Sequence, residues 1–204
     1  QIEKYKFKNS FPFFSLNKNV VGESSKSKIN RISNYLKKNK SDYIFISAPE
    51  NVAWLLNIRG GDGPNSPIPN SRLIISKTKK IFLISKKEKC IKLIKNKIIK
   101  LNQFLDINKL PNEIIKLKGK KFIIDDKSCS IFFENLIKSK FNIVKRKDPT
   151  YLFKSIKNKT EINNMINSHI LDGAALTKFI YWIKNINKNK ITEIEAVRKL
   201  EKFR

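Results

Sequence analysis

The residues best suited to chemistry are few and scattered. The loop Arg59-Gly60-Gly61-Asp62-Gly63-Pro64 has the make-up of an anion cradle, because glycines let backbone N–H groups approach a ligand and Arg59 adds a fixed charge. No Lys-Ser or Lys-Thr pair follows to complete a phosphate loop, and glycine with proline also punctuates ordinary turns, so a structural role is favoured. Asp125 and Asp126 close a strand-like run, where paired carboxylates can bind a metal or share a proton. Without a third carboxylate or a histidine at a recognisable spacing, a turn or the cap of the following helix accounts for them. His169, the single histidine, would have to serve any triad or metal site alone. Its place on an apolar helix face suits a hydrogen-bonded histidine at an interface.

Glu193, Glu195 and Glu201 lie on the last helical run, whose start attracts acids through its dipole and free N–H groups. Trp54 and Trp182 can stack on bases, yet both sit in apolar helical runs that argue for burial. Cys90 and Cys129 form no CxxC pair and have no histidine spacing, which supports neither a disulfide framework nor a zinc knuckle and suits a reducing cytoplasm. The reading therefore assigns no catalytic, cofactor-binding or metal-ligating residue, and residue chemistry alone names no reaction.

Composition sets the frame for these residues. A chain of 204 residues that is 40% hydrophobic, with 14 Phe, can bury a core and is not a disordered polymer. No apolar run approaches the roughly 20 residues that span a bilayer, and QIEKYKFKNSF lacks the apolar stretch of a secretory signal, so the expectation is a soluble, cytoplasmic protein with no membrane partner. The net charge of +27 points towards nucleic acid or an anionic surface. The basic residues are mostly Lys, however, and are spread through nearly every segment alongside abundant Ile and Asn, which suits coding bias or a missing acidic partner domain. A nucleic-acid surface would concentrate Arg, stacking aromatics or a basic stripe, so nucleic acid is the less favoured partner.

The elements that must position these residues follow from hydrophobic period and turn chemistry. Residues 1–21 mix aromatics and Asn without a period and read as a connecting segment, or the tail of a missing first domain, rather than a core element. Ile29, Ile32, Tyr35 and Leu36 then fall at helical spacing after a serine-rich cap, SDYIFISA supplies a strand, and PENVAWLLN a short helix with proline in its first turn. SRLIISK and KIFLIS read as the two strands of a hairpin. Cys90 to Ile99 and Pro111 to Leu117 read as helices around an extended Leu101 to Leu105, and KKFIIDD, SCSIFFENLIKSK and FNIVKRK as strand, helix and strand.

This alternation predicts an α/β domain over residues 22–147 with a mixed sheet and flanking helices. Residues 148–204 read as three helices with no sheet to cover. The first follows Asp148-Pro149. The second carries Ile162, Met165, Ile166, His169, Ile170, Gly173, Thr177 and Ile180 on one face, and the third opens on the capping box Thr192 to Glu195. With Gln1 rather than Met at one end and a helical run at the other, both ends look cut.

Two blocks carry a resemblance. SAPENVAWLLNIRGGDGPNSPIPNSRLIIS, Ser47 to Ser76, resembles the second domain of the aminopeptidase P family, the creatinase-like Xaa-Pro aminopeptidases. DPTYLFKSIKNKTEINNMINSHILDGAALTKFIYWI and ITEIEAVRKLEKFR are similar to the first helices of that family's pita-bread catalytic domain. The resemblance implies a creatinase amino-terminal-like fold and a cytosolic metallopeptidase that removes the first residue from peptides with proline second. It also implies two divalent ions, manganese by expectation, a homodimer, and a further domain before Gln1. In the family pattern the five metal ligands come after the helix that ends near Arg204. The resemblance therefore makes this stretch scaffolding that lacks the metal ligands, and Asp125, Asp126, His169, Glu193 and Glu195 are not their counterparts.

Overall fold

The computed structural model describes residues 11–63, 66–186 and 191–204. The chain divides into a unit that runs to Ile156 and another from Lys157 to Arg204. In the first, the elements are β1 (Phe14–Ser15), α1 (Lys18–Val21), α2 (Ser25–Lys38), β2 (Tyr43–Ile46), α3 (Pro49–Leu56), β3 (Ile58–Arg59), β4 (Arg72–Ser76), β5 (Ile81–Ser85), α4 (Lys87–Lys95), β6 (Phe104–Asp106), α5 (Leu110–Lys116), β7 (Lys121–Ile124), α6 (Ile131–Lys138), β8 (Asn142–Lys145) and α7 (Thr150–Ser155).

Six strands form one sheet in the order β6-β5-β4-β2-β7-β8. The hairpin β4–β5 and the pair β2–β4 run antiparallel, whereas β2–β7, β7–β8 and β5–β6 are parallel. The sheet is mixed, with helices on both faces. The pleat explains how: successive side chains point to opposite faces, so Ile44 and Ile46 join one core and Phe45 the other. The first core collects Ile29, Ile32 and Leu36 of α2, Val52 and Leu55 of α3, and Cys90 and Leu93 of α4. The second collects Leu110 and Ile114 of α5, and Phe133 and Ile137 of α6. Because both faces are covered, β2 and β7 read as unbroken apolar runs rather than alternating ones.

The segment expected only to connect does more than that. Phe13 is fully buried in the first core, and β1 pairs antiparallel with β3, Phe14 opposite Arg59. Strands of two residues leave no period to read, which is why the aromatics before Val21 looked unstructured. The rest of that segment, residues 1–10, lies outside the described residues.

In the unit from Lys157 to Arg204, α8 (Lys159–Asn185) and α9 (Glu193–Phe203) pack on each other. Both open on complete capping boxes, Asn158 with Glu161 and Thr192 with Glu195, so each helix start is closed by its own side chains. The apolar face expected on the second of the three helices is present but uncovered: Ile162, Met165, Ile166, Ile170 and Ile180 are all exposed. No helix among the described residues is long and apolar enough to cross a membrane.

Candidate functional site

In an open α/β sheet the carboxyl ends of the strands, where neighbouring connections leave in opposite directions, are the first place to look for a site. Here the ends of β2 and β7 deliver Ser47 and Asp125, and α3 begins beside them. The Ser47 and Ser128 hydroxyls lie 2.7 Å apart. Asp125 is buried, with Oδ1 accepting from the Lys127 N–H at 3.1 Å and Oδ2 from the Asp148 N–H at 2.8 Å. Asp126 is exposed, and Ser130, not Asp126, stands at the start of α6. The carboxylate that organises the turn is therefore Asp125 alone.

Asp148 is 2% exposed and Asn51 is fully buried. Asp148 Oδ2 accepts from Asn51 Nδ2 at 2.7 Å and Oδ1 from the Thr150 N–H at 2.8 Å. Burial pushes the Asp148 carboxyl up, the donors from Thr150 and Asn51 pull against it, and the charge of Asp125 adds to the rise. Lys154 Nζ donates to Asn51 Oδ1 at 2.6 Å, and the Tyr151 hydroxyl donates to Glu50 Oε1 at 3.2 Å. Burial, together with the Glu50 carboxylate, raises the Tyr151 phenol to about 12. Every carboxylate oxygen of Asp125 and Asp148 thus faces an N–H donor, which is the arrangement of a polar anchor and leaves neither pair of oxygens directed at a shared ion.

The glycine loop is likewise occupied by its own chain. Arg59 Nη1 donates to the Ile58 carbonyl at 2.9 Å, and burial holds its guanidinium below the ordinary value. Asp62 is ion-paired with Lys89 and accepts from the Asn70 N–H at 2.6 Å. A Cβ on Gly60 would lie 2.9 Å from both the Phe13 ring and the Pro69 Cα, and one on Gly61 would meet Phe11 at 2.9 Å. The glycines therefore serve close packing of the chain before β1, not an anion. Pro64 lies outside the described residues.

Sequence reasoning missed Lys28, which reads as a solvent-facing lysine on α2 yet is 1% exposed. Its Nζ donates to the Trp54 carbonyl at 2.9 Å and Asn57 Oδ1 at 2.7 Å, and sits 4.1 Å from the Trp54 ring centroid. A cation at the last carbonyls of α3 complements the negative end of its dipole, and Asn57 closes the helix in the left-handed region at φ 54°. Arg31 stacks on the same ring at 5.2 Å and pairs with Glu23 at 2.5 Å. Trp54 is a packed, cation-flanked residue of the α2–α3 contact.

The remaining candidates stand apart from these. His169 is exposed on α8, where Ser168, Leu171, Asp172 and Arg204 border the same shallow cleft. Trp182 meets the Phe179 ring at a 38° tilt with centroids 5.8 Å apart, and Lys199 of α9 lies 5.6 Å from the Trp182 ring centroid. Glu195 accepts from the Thr192 N–H at 2.8 Å, and that bond lowers its carboxyl. Glu193 and Glu201 are exposed. Cys90 and Cys129 are free, and burial pushes their thiols up to about 12 and about 11. No group of three or more His, Cys, Asp or Glu side chains placed to hold a metal ion occurs among the described residues.

The family model of the creatinase/prolidase N-terminal domain matches residues 7–161. Xaa-Pro aminopeptidase 1 of Dictyostelium discoideum is 32% identical over 205 residues, covering 97% of this chain and 32% of that protein. Xaa-Pro aminopeptidase ApepP of Drosophila melanogaster is 29% identical over 177 residues, covering 83% and 28%. The crystal structure of an X-prolyl aminopeptidase from Caenorhabditis elegans, described as a cytosolic enzyme with a di-nuclear active site, superposes with a TM-score of 0.79 over 96% of this chain and 33% of that one. At 23% identity the superposition shows the fold. The chain spans about a third of the length of the curated relatives it matches. With its mixed six-stranded sheet, its two helical layers and a family match running from before β1 into α8, this chain belongs to the creatinase/prolidase N-terminal domain family.

Proposed function

We propose that this chain is the non-catalytic amino-terminal portion of a metal-dependent Xaa-Pro aminopeptidase, an enzyme that releases the first residue from peptides with proline second. The observation that carries the reading is the match along nearly the whole chain to Xaa-Pro aminopeptidases about three times as long. In this reading residues 22–147 are the α/β scaffold, which Phe13 and β1 join, and the chain reaches them from a preceding domain. Residues 148–204 are the first helices of the pita-bread catalytic domain. The uncovered face of α8 supports that assignment, because Ile166 and Ile170 need apolar neighbours that this stretch does not supply.

The whole enzyme would be a cytoplasmic homodimer holding two divalent ions, probed first as manganese. A pair of such ions polarises a carbonyl and lowers the pKa of a shared water. The residues here do not fit that role, since the oxygens of Asp125 and Asp148 are committed to backbone and amide donors. The chain's own part is to present a rigid scaffold. The test is the reading frame beyond Arg204: an Asp, Asp, His, Glu, Glu series within the following few hundred residues is expected, and its absence overturns the reading.

The charge of +27 favours a second reading, a non-catalytic binding module that holds nucleic acid through its lysines, its other form being a relative that keeps the α/β domain for protein contacts. Affinity for nucleic acid would then fall steeply with salt. Flat or undetectable binding at about 0.1 M salt removes the nucleic-acid form.

A further inference from the structure

Helix α7 is attached to the sheet unit in an unusual way for an apolar segment. Leu152 and Ile156 are 63% and 70% exposed, and the partly buried Phe153, with the Arg31 guanidinium 5.1 Å from its ring centroid, is the apolar residue of α7 that packs against the core. Its polar groups reach inward instead. Lys154 donates to Asn51 Oδ1, Asn51 Nδ2 donates to Asp148 Oδ2, Asp148 Oδ1 accepts from the Thr150 N–H, and the Asp148 N–H donates to Asp125 Oδ2. All four steps lie between 2.6 and 2.8 Å. A lysine can only donate and an ionised carboxylate can only accept, so the orientation of the Asn51 amide is dictated. The fully buried amide thereby links a cation on α7 to a buried carboxylate at its start, through the first turn of α3. Neither Asp nor Lys nor an apolar residue at position 51 could both accept from Lys154 and donate to Asp148.

We propose that this relay is a latch: Asn51 holds residues 148–156 on the α/β unit, and cutting the relay releases that segment while the sheet stays folded. The segment joining β8 to α8 then has two states, latched and free. Local opening of this kind is expected where few apolar contacts and several polar ones hold an element. The inference stands on the geometry of one unit and is independent of the peptidase reading.

Hydrogen exchange followed by mass spectrometry tests it on the 204-residue chain, comparing the parent with Asn51→Leu, Lys154→Met and the exposed-site control Asp126→Asn. The latch predicts that peptides covering α7 exchange at least about tenfold faster in both relay variants, with β2, β4 and β7 peptides and the control unchanged. Protection of α7 equal to the parent in Lys154→Met overturns the proposal. So does loss of α7 and sheet protection together in that variant, because the relay would then support the whole fold. Lys154→Met removes a partly exposed cation, with its hydrogen bond to Asn51 and its contact with the Tyr151 ring, and leaves the buried Asn51–Asp148 bond in place, so it keeps the test decisive if Asn51→Leu fails to fold.

Discussion

Lys28 and Asp42 show how single polar groups hold this domain where its lysine-rich composition suggests only solvated charge. Replacing Lys28 by Met keeps the stem and removes the donor, leaving the Trp54 carbonyl and Asn57 Oδ1 short of a partner in a buried site. The expected loss is about 1–3 kcal/mol of unfolding free energy, read from urea midpoints; an unchanged midpoint would contradict the role assigned to it. Asp42 lies between β2 and β7. Partial burial would raise its carboxyl, but Lys77 at 2.7 Å and the N–H groups of Lys120 and Lys121 outweigh that and bring it down to about 2. A carboxyl held below its unfolded value stabilises the fold above that value and ceases to as pH falls through the folded one. The stability difference between the parent and Asp42→Asn should therefore be complete at pH 6 and shrink between about pH 4 and pH 2. Neither group was legible in the sequence. Lys28 precedes Ile29 among other lysines of α2, and its partners at Trp54 and Asn57 lie more than 25 positions away.

Elements were more legible than contacts, because period and caps are local whereas pairing is not. The apolar spacing of Ile29, Ile32 and Leu36 after Ser24 located α2, and proline in its first turn located α3. The Thr192 capping box set the start of α9, whereas the Asn158 cap that opens α8 emerged only in the structure. The pairing of β1 with β3 was invisible, and with it the reason for the glycines at 60 and 61. Their role is steric: Gly60→Ala forces its new carbon against the Phe13 ring and the Pro69 backbone. Overpacking of this kind costs about 1–3 kcal/mol, measurable as a lower thermal midpoint with an unchanged far-UV spectrum. A midpoint equal to the parent would show that β1 yields freely and is not part of the core. The Asn51–Asp148 contact was also out of reach, since 97 positions separate its partners.

At the scale of the whole molecule the sequence and the fold agree on an α/β layer domain with a mixed sheet, and the family match extends that agreement over residues 7–161. Among the described residues Asp125 organises a turn and Glu195 a helix cap, burial pushes both thiols up, and Asp126, His169, Glu193 and Glu201 lie exposed. The proposed scaffold role is consistent with these features and with the uncovered face of α8. The most direct measurement is hydrolysis of a short Xaa-Pro peptide in the presence of manganese, comparing this 204-residue chain with one extended through the downstream reading frame. The account predicts release of the first residue by the extended chain and none by this one. Activity in the short chain, or in neither, would contradict it.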